Sequence, residues 1–263
     1  MIIYKTDQEI RTIKKSCQIV AQILYDLGKM VKPGISTREL DSFAEKQTLK
    51  MGAVPAFKGY RGYPATLCTS INEEIVHGIP SSRTLREGDI ISLDFGVIYD
   101  GYFGDAARTY PVGEITPRAK HLIETAKKAF YKGMSQVKSG NRLSDISHSV
   151  QQHVEDQGFS VIRSFVGHGI GLSLHEEPQI PNFGPPGRGP KLKPGMVLAL
   201  EPMISIGGWE VEILSDNWTA VTKDRSLSAH FEHTIALTQS GAVILSQWQE
   251  EESPSYAKES QYV

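Results

Sequence analysis

Apolar residues recur at helical spacing in four stretches of this chain, and five shorter apolar runs between and after them read as strands. The first two helical runs each follow a capping box, Thr6 with Glu9 and Ser36 with Glu39. In such a box the hydroxyl and the carboxylate each satisfy one of the backbone N–H groups left open at the helix start. The third run opens at Thr116-Pro117, with proline at the first helical position, and is expected to reach about Val137. The fourth spans Ser144 to Gln157, with Gly158 as its C-cap. Strands are expected over Asp89–Ile98, Tyr102–Val112, Met196–Ile204, Trp209–Leu214 and Phe231–Thr238. Asp100-Gly101, between the first two strands, is a two-residue hairpin signal. With those residues as the turn, Tyr99 pairs with Tyr102 and Asp105 faces Gly96. Asp94 then lies diagonal to Asp105 on one face of the hairpin. A slip of one residue would put the two acids on opposite faces.

The helical segments match pairwise. Val31-Lys32-Pro33-Gly34 and Val137-Lys138-Ser139-Gly140 are 106 residues apart, as are Gly52 and Gly158, and Tyr25 and Tyr131. Leu85-Arg86-Glu87-Gly88 precedes Asp94 as Leu192-Lys193-Pro194-Gly195 precedes Glu201, at an offset of 107. Several matches at nearly one spacing point to two related αβ halves of roughly 105 residues each, too long a period for a solenoid. They imply a single α+β domain with a pseudo-twofold axis and the paired acids near it. The halves are expected at about 1–110 and 111–248, followed by a polar tail over 249–263. The Pro/Gly-rich stretch Asn182–Gly195 reads as a loop within the domain.

Composition narrows the function classes. The chain has 263 residues, 40% hydrophobic and 22% charged, an ordinary globular balance with room for a sizeable core. A net charge of −2 and the lack of any basic stripe argue against nucleic-acid binding. No apolar stretch approaches the ~20 residues that span a bilayer. Two cysteines make no disulfide framework, and the first residues lack the pattern of a secretory signal, so a reducing cytoplasm is expected.

The chemistry lies in Asp94, Asp105, His168, Glu201 and Glu232. Four carboxylates and one imidazole form an oxygen-rich set able to hold two divalent ions about 3.5–4 Å apart and to activate water. Two of these acids fall in apolar strands, where an unpaired charge is costly and a cation is an economical partner. His168 is flanked by glycines that would let the backbone approach a ligand. His175 lies seven residues further, so one imidazole is free to bind metal while the other faces substrate. His77 ends an apolar run before Gly-Ile-Pro, and the residues alone leave a site role and a scaffold role open. His121, His148 and His153 read as surface or structural residues of helices. There is no G-x-S-x-G elbow, no G-K-[ST] phosphate loop and no H-E-x-x-H zinc motif.

The strings NEEIVHGIP, LDFG…DGYFGDAART, GHGIG…HEEP, LEPM and SAHFEHT, in this order, resemble the signature blocks of the methionine aminopeptidases. The similarity runs from about Tyr4 to Leu245. The chain resembles the short bacterial type I form: it starts without a Cys/His-rich extension, and Glu232 follows Glu201 by 31 residues, too few for the type II helical insertion. The resemblance implies the pita-bread fold, two pseudo-twofold-related halves around a central antiparallel sheet. It also implies removal of the initiator methionine from nascent chains whose second residue is small and uncharged.

By the same resemblance, Asp105 and Glu232 bridge two divalent ions (cobalt, manganese, iron or zinc), His168 and Glu201 complete the first shell, and Asp94 holds the second ion. Glu201 is the candidate general base, His175 the donor to the carbonyl oxygen, and His77 the contact for the following amide. Tyr60, Tyr63, Cys68 and Trp218, with Phe57 and Leu174, match the methionine pocket. Residues near Asn72 and Ser228 match a monovalent-cation site. A monomer working near the ribosome, without nucleic-acid-specific or membrane binding, is expected. The chain departs from the family pattern at Leu174 (commonly Phe), Arg61 (His), Phe57 (Cys), Phe103 (His), Ala106 (Thr or Ser) and His230 (Gln). None of these is one of the five expected ligands. A proline-directed peptidase of the same fold and a non-catalytic binding module are the competing readings.

Overall fold

A computed structural model describes residues 1–247, so the expected tail over 249–263 lies outside the described residues. Among the described residues four α-helices form: α1 (Asp7–Met30), α2 (Thr37–Lys50), α3 (Pro117–Met134) and α4 (Leu143–Asp156). Fourteen strands accompany them: β1 (Val54–Pro55), β2 (Leu67–Ile71), β3 (Glu74–Val76), β4 (Ile90–Tyr99), β5 (Tyr102–Pro111), β6 (Ser160–Val161), β7 (Gly167–Gly169), β8 (Glu176–Ile180), β9 (Val197–Leu200), β10 (Met203–Ser205), β11 (Val211–Ile213), β12 (Ala220–Thr222), β13 (Ser228–Thr238) and β14 (Gly241–Ile244). Both expected capping boxes form, and the Thr116 hydroxyl accepts from Ala119 N–H ahead of Pro117.

The expected boundaries need four corrections. Helix α3 stops at Met134 rather than near Val137, because the chain turns there into a Gly140-containing bend that pairs with Leu192. The run Met196–Ile204 is not one strand: it breaks at Glu201-Pro202 into β9 and β10, since Pro202 has no N–H to continue the ladder. Strand β13 begins at Ser228, three residues before the expected Phe231, and β11 is only Val211–Ile213.

The long sheet runs β1-β4-β5-β13-β9-β7-β8, with β2 on β4, β10 and β14 on β13, and β6 on β10. Its paired strands are antiparallel. A second sheet, β11-β12-β3, flanks it. Helix α1 packs on β4 and β5, and α3 packs on β13. One apolar core gathers Leu24, Leu27 and Leu40 from the first helix pair with Leu93, Phe95 and Val97 of β4. Another gathers Leu122, Phe130 and Val150 from the second pair with Leu198 and Ile235. Alternation along β4 sends Leu93 and Phe95 to the helices and leaves Ser92, Asp94 and Gly96 on the opposite face.

The two halves repeat their framework bond for bond. Gly34 N donates to Leu85 O at 2.8 Å and Gly140 N to Leu192 O at 3.1 Å. Leu85 N returns to Ile35 O, and Leu192 N to Asn141 O, each at 2.8 Å. Bridges Ser36–Thr84 and Arg142–Lys191 stand beside them. Gly34 and Gly140 have φ of 91° and 94°, a region in which a side chain is strained.

Candidate metal centre and substrate pocket

The hairpin register is the one the sequence predicts. Tyr99 pairs with Tyr102 and Gly96 with Asp105. Asp100 and Gly101 both have positive φ, 50° and 77°, as a type I′ turn requires. The central strand β13 then extends two rows across the sheet. Asp94 pairs with Ala107, and Ala107 with Glu232. One register relates β13 to both β9 and β10 (His233 with Leu200, Met203 with His230), and it places Glu201, at the break between them, opposite Glu232. In the next row the Asp105 N–H donates to Thr234 Oγ1 at 3.3 Å, Thr234 pairs with Ala199, and Ala199 with His168. Paired residues share a face, so all five expected ligands converge on the face away from the helices. Ala107, Ala199 and Thr234 separate them with small side chains.

Asp94, Asp105 and Glu232 lie within strands, and Glu201 just past the end of one. All five residues are buried. His168 Nδ1–H donates to Gly169 O at 2.9 Å; a carbonyl only accepts, so the proton sits on Nδ1 and Nε2 keeps its lone pair. That Nε2 lies 3.5 Å from Glu201 Oε1 and 4.0 Å from Asp105 Oδ2. The glycines beside His168 do not open the backbone to a ligand as the sequence suggests. A Cβ on Gly167 would meet Ala199 O at 2.5 Å, and one on Gly169 would meet Glu177 O at 2.3 Å. They let neighbouring strands close in.

Burial pushes the Asp94 carboxyl up to about 7. Burial and mutual repulsion hold Asp105, Glu201 and Glu232 well above the carboxylate range. Burial first, and His175 second, lowers His168 to about 3 and His77 to about 4. Asp94 Oδ1, Asp105 Oδ1 and Glu232 Oε1 have no hydrogen-bond partner. Asp105, His168 and Glu232 each direct one ligand atom into a common space. Crowded acids with open lone pairs beside a neutral imidazole fit divalent cations.

A cavity of about 190 Å³ opens from these residues. That is smaller than the roughly 300–1,000 Å³ of sites for drug-sized ligands, and suits one side chain with a short stretch of backbone. Every expected pocket residue lines it: Phe57, Tyr60, Tyr63, Cys68, Leu174 and Trp218, with His77 and His175. Tyr63 OH donates to Leu67 O and Gly78 O, and its ring meets Trp218 edge-on at 5.1 Å. Cys68 pairs with Asp94 across β2 and β4, which puts the pocket wall beside the acids. His175 stands 4.3 Å from His168 between ring centroids, and its Nδ1 is 2.8 Å from Tyr60 OH. His77, at φ 63°, presents its ring edge-on to Phe165 and Trp218.

Val76, Phe165, Val166 and Met203 also line the cavity, and the sequence reading missed them. They are ordinary apolar residues without a local signal. In the sequence His230 stands out only as a departure from the family pattern, although it lies two residues before Glu232 in one strand and therefore on the same face. Its ring is buried, with Nε2 3.7 Å from Glu201 Oε2.

Comparison with known proteins places most of the chain. Residues 11–239 match the model of Metallopeptidase family M24. Methionine aminopeptidase 1 of Bacillus subtilis (strain 168) is 54% identical over 245 residues, covering 93% of this chain and 99% of that protein. The crystal structure of a methionine aminopeptidase from Thermotoga maritima superposes with a TM-score of 0.93 at 47% identity, covering 94% of this chain and all of that one. A prolidase from Pyrococcus furiosus shares the fold alone, with a TM-score of 0.78 at 23% identity and 66% of its own chain covered.

Proposed function

This chain belongs to metallopeptidase family M24, and we propose that it removes the initiator methionine from polypeptides whose second residue is small and uncharged. One observation carries the reading: a buried acid–imidazole cluster forms the floor of a cavity whose walls are apolar and whose volume suits a single side chain. A proline-directed peptidase and a binding module are not favoured. Relatives that match 93–94% of the chain are methionine aminopeptidases, and each of the five expected ligand residues is present.

Asp105, Glu232, His168 and Glu201 would hold one divalent ion, and Asp94, with Asp105 and Glu232, a second. Cobalt, manganese, iron and zinc all suit this donor set. Ions held there supply a Lewis acid and a water acidic enough to lose its proton near neutrality. Glu201 would serve as the general base of the reaction. The methionine side chain enters the pocket of Phe57, Tyr60, Tyr63, Cys68, Leu174 and Trp218, where a flexible thioether packs well on aromatic edges. The acids around Asp94 attract the α-ammonium group, which restricts cleavage to the first residue.

Burial and the nearby Arg61 cation hold His175 below its usual range, so its ring is neutral at pH 7. Tyr60 OH lies 2.8 Å from His175 Nδ1; in the tautomer where Tyr60 donates, His175 Nε2 carries the proton and would donate a hydrogen bond to the scissile carbonyl oxygen as charge develops there. His77 contacts the amide that follows. We assign a monovalent cation to the neighbourhood of Asn72 and Ser228, where Ser228 N donates to Asn72 O at 2.8 Å. We read residues 1–248 as one catalytic unit that acts as a cytoplasmic monomer close to the ribosome. Two buried free thiols accord with a reducing compartment, and no helix among the described residues is long and apolar enough to cross a membrane.

The test is methionine release from a Met-Ala-Ser peptide before and after chelation, with each metal restored, beside Asp94→Asn. Metal-restored release in the wild type, absent from the variant, is expected. No release with any metal from a folded protein would refute the activity.

A further inference from the structure

A second imidazole faces the acids from the side opposite His168. His230 Nε2 lies 3.7 Å from Glu201 Oε2 and 3.9 Å from Glu232 Oε2. The two oxygens of Glu201 are thus divided: Oε1 faces His168 at 3.5 Å and Oε2 faces His230. First-row metals hold nitrogen and oxygen ligands at about 2.0–2.2 Å, so two ligands of one ion stand about 3–4 Å apart. The His230 distances fall in that range, as do those of His168. Glu201, His230 and Glu232 each direct one donor atom into a common space, and Asp105, His168 and Glu232 form a second set that shares Glu232.

The ring of His230 gives a second, independent observation. It is 1% exposed, and neither Nδ1 nor Nε2 has a hydrogen-bond partner. A buried polar atom left in that state keeps an uncompensated desolvation penalty, and an apolar residue at this strand position would avoid it. His168 differs, because Gly169 O already takes its Nδ1 proton. The backbone holds His230 in place: its N–H donates to Thr109 Oγ1 at 2.9 Å, and the Thr109 hydroxyl, which also contacts Ser92 Oγ, donates to His230 O at 2.9 Å. The next position outward on the same face is Met203, its partner in β10.

We propose that His230 Nε2 is a metal ligand, and that Glu201, His230 and Glu232 hold a divalent transition-metal ion on the side of Glu201 away from His168. The proposal rests on the metal centre of the function proposed above. It makes that centre richer in nitrogen than the five expected ligands alone. Imidazole favours zinc, iron, nickel and copper over magnesium or calcium, so the bias should run toward the later metals.

The test uses the full chain with ring-¹⁵N-labelled histidine, stripped of metal and titrated with Zn²⁺, and reads long-range ¹H–¹⁵N spectra. Zinc should move the unprotonated ring nitrogens of two histidines, His168 and His230. His230→Gln should remove one of these signals and weaken zinc binding at least about tenfold, in the range known for residues that support a metal shell. If that variant does not fold, His168→Gln identifies the remaining signal as that of His230. Movement of His168 alone, or a His230 Nε2 that shows one-bond splitting to its own proton, overturns the proposal and leaves the metal centre standing. Movement of no histidine overturns both.

Discussion

In the first half of the sheet, Asp94 and Asp105 sit mid-strand on a regular hairpin of two ten-residue strands. In the second half the strand leading to Glu201 stops at Leu200 and resumes at Met203. Both halves start from the same frame of glycine turns and backbone bonds, and both bring a carboxylate to one row of one sheet face. The first half does so through local register alone. The second breaks its strand at Pro202, where the ladder cannot continue, and lets β13 hold both fragments in one register. The repeat therefore preserves where the acid lies and not how the backbone holds it.

The largest effect is expected at Glu232, on the strand that joins the halves. Glu232→Gln removes a ligand shared by both donor sets, which should cost about 4 kcal/mol of transition-state stabilisation, or ~10³-fold in kcat/KM for a Met-Ala-Ser peptide. A loss below tenfold would show that the two halves do not meet at this residue. Next come the two cores. Leu24 and Leu122 are fully buried, one under each helix pair, and Leu→Ala at either should cost about 3 kcal/mol. Urea unfolding followed by fluorescence and circular dichroism should give a single transition in each variant. Two separated transitions in either would show that the halves fold independently.

A third prediction concerns pH. Asp94 titrates near 7 without metal, and the neighbouring acids sit well above their usual range, so entering ions must displace protons. His77 and His168, lowered to about 4 and 3, are neutral throughout and contribute no competing proton. The rise in Tm on adding Mn²⁺ should therefore shrink as pH falls from 7.5 to 6. Each displaced proton weakens binding by up to about 1.4 kcal/mol per pH unit below its pKa. Calorimetric scans of chelated and Mn²⁺-loaded protein measure it, and an increment independent of pH would contradict the shifted carboxyls. The smallest effect tests the frame itself. Nothing lies within 4 Å of a Cβ at Gly34 or Gly140, so Gly→Ala at each should cost only backbone strain, about 1 kcal/mol and equal in the two halves. Chemical denaturation would reveal any asymmetry.

Much of this arrangement is legible in the sequence because its signals act over a few residues. The capping boxes of Thr6 and Ser36 need only the third residue onward, and the Asp100-Gly101 turn sets the register that puts Asp94 and Asp105 on one face. The halves show as repeated strings because each glycine turn demands one backbone conformation. His230 was open to the same argument, since its two-residue spacing from Glu232 in a strand implies a shared face. Its role could not be read, because nothing nearby in sequence says that Glu201 closes on it from another strand. The glycines around His168 are not legible for the same reason: the backbones they admit belong to Ala199 and Glu177, distant in sequence.

By itself, then, the sequence determined the helix starts, the hairpin register, the repeated framework of turns and a candidate set of acids with His168. Those follow from local stereochemistry and from the cost of burying charge. Only the tertiary structure decided that β13 runs between the halves, that Glu201 sits at a strand break opposite Glu232, and that the cavity is completed by Phe165, Val166 and Met203. These depend on contacts such as Asp105 with Thr234, 129 residues apart, where packing of the whole sheet rather than any short pattern selects the partner.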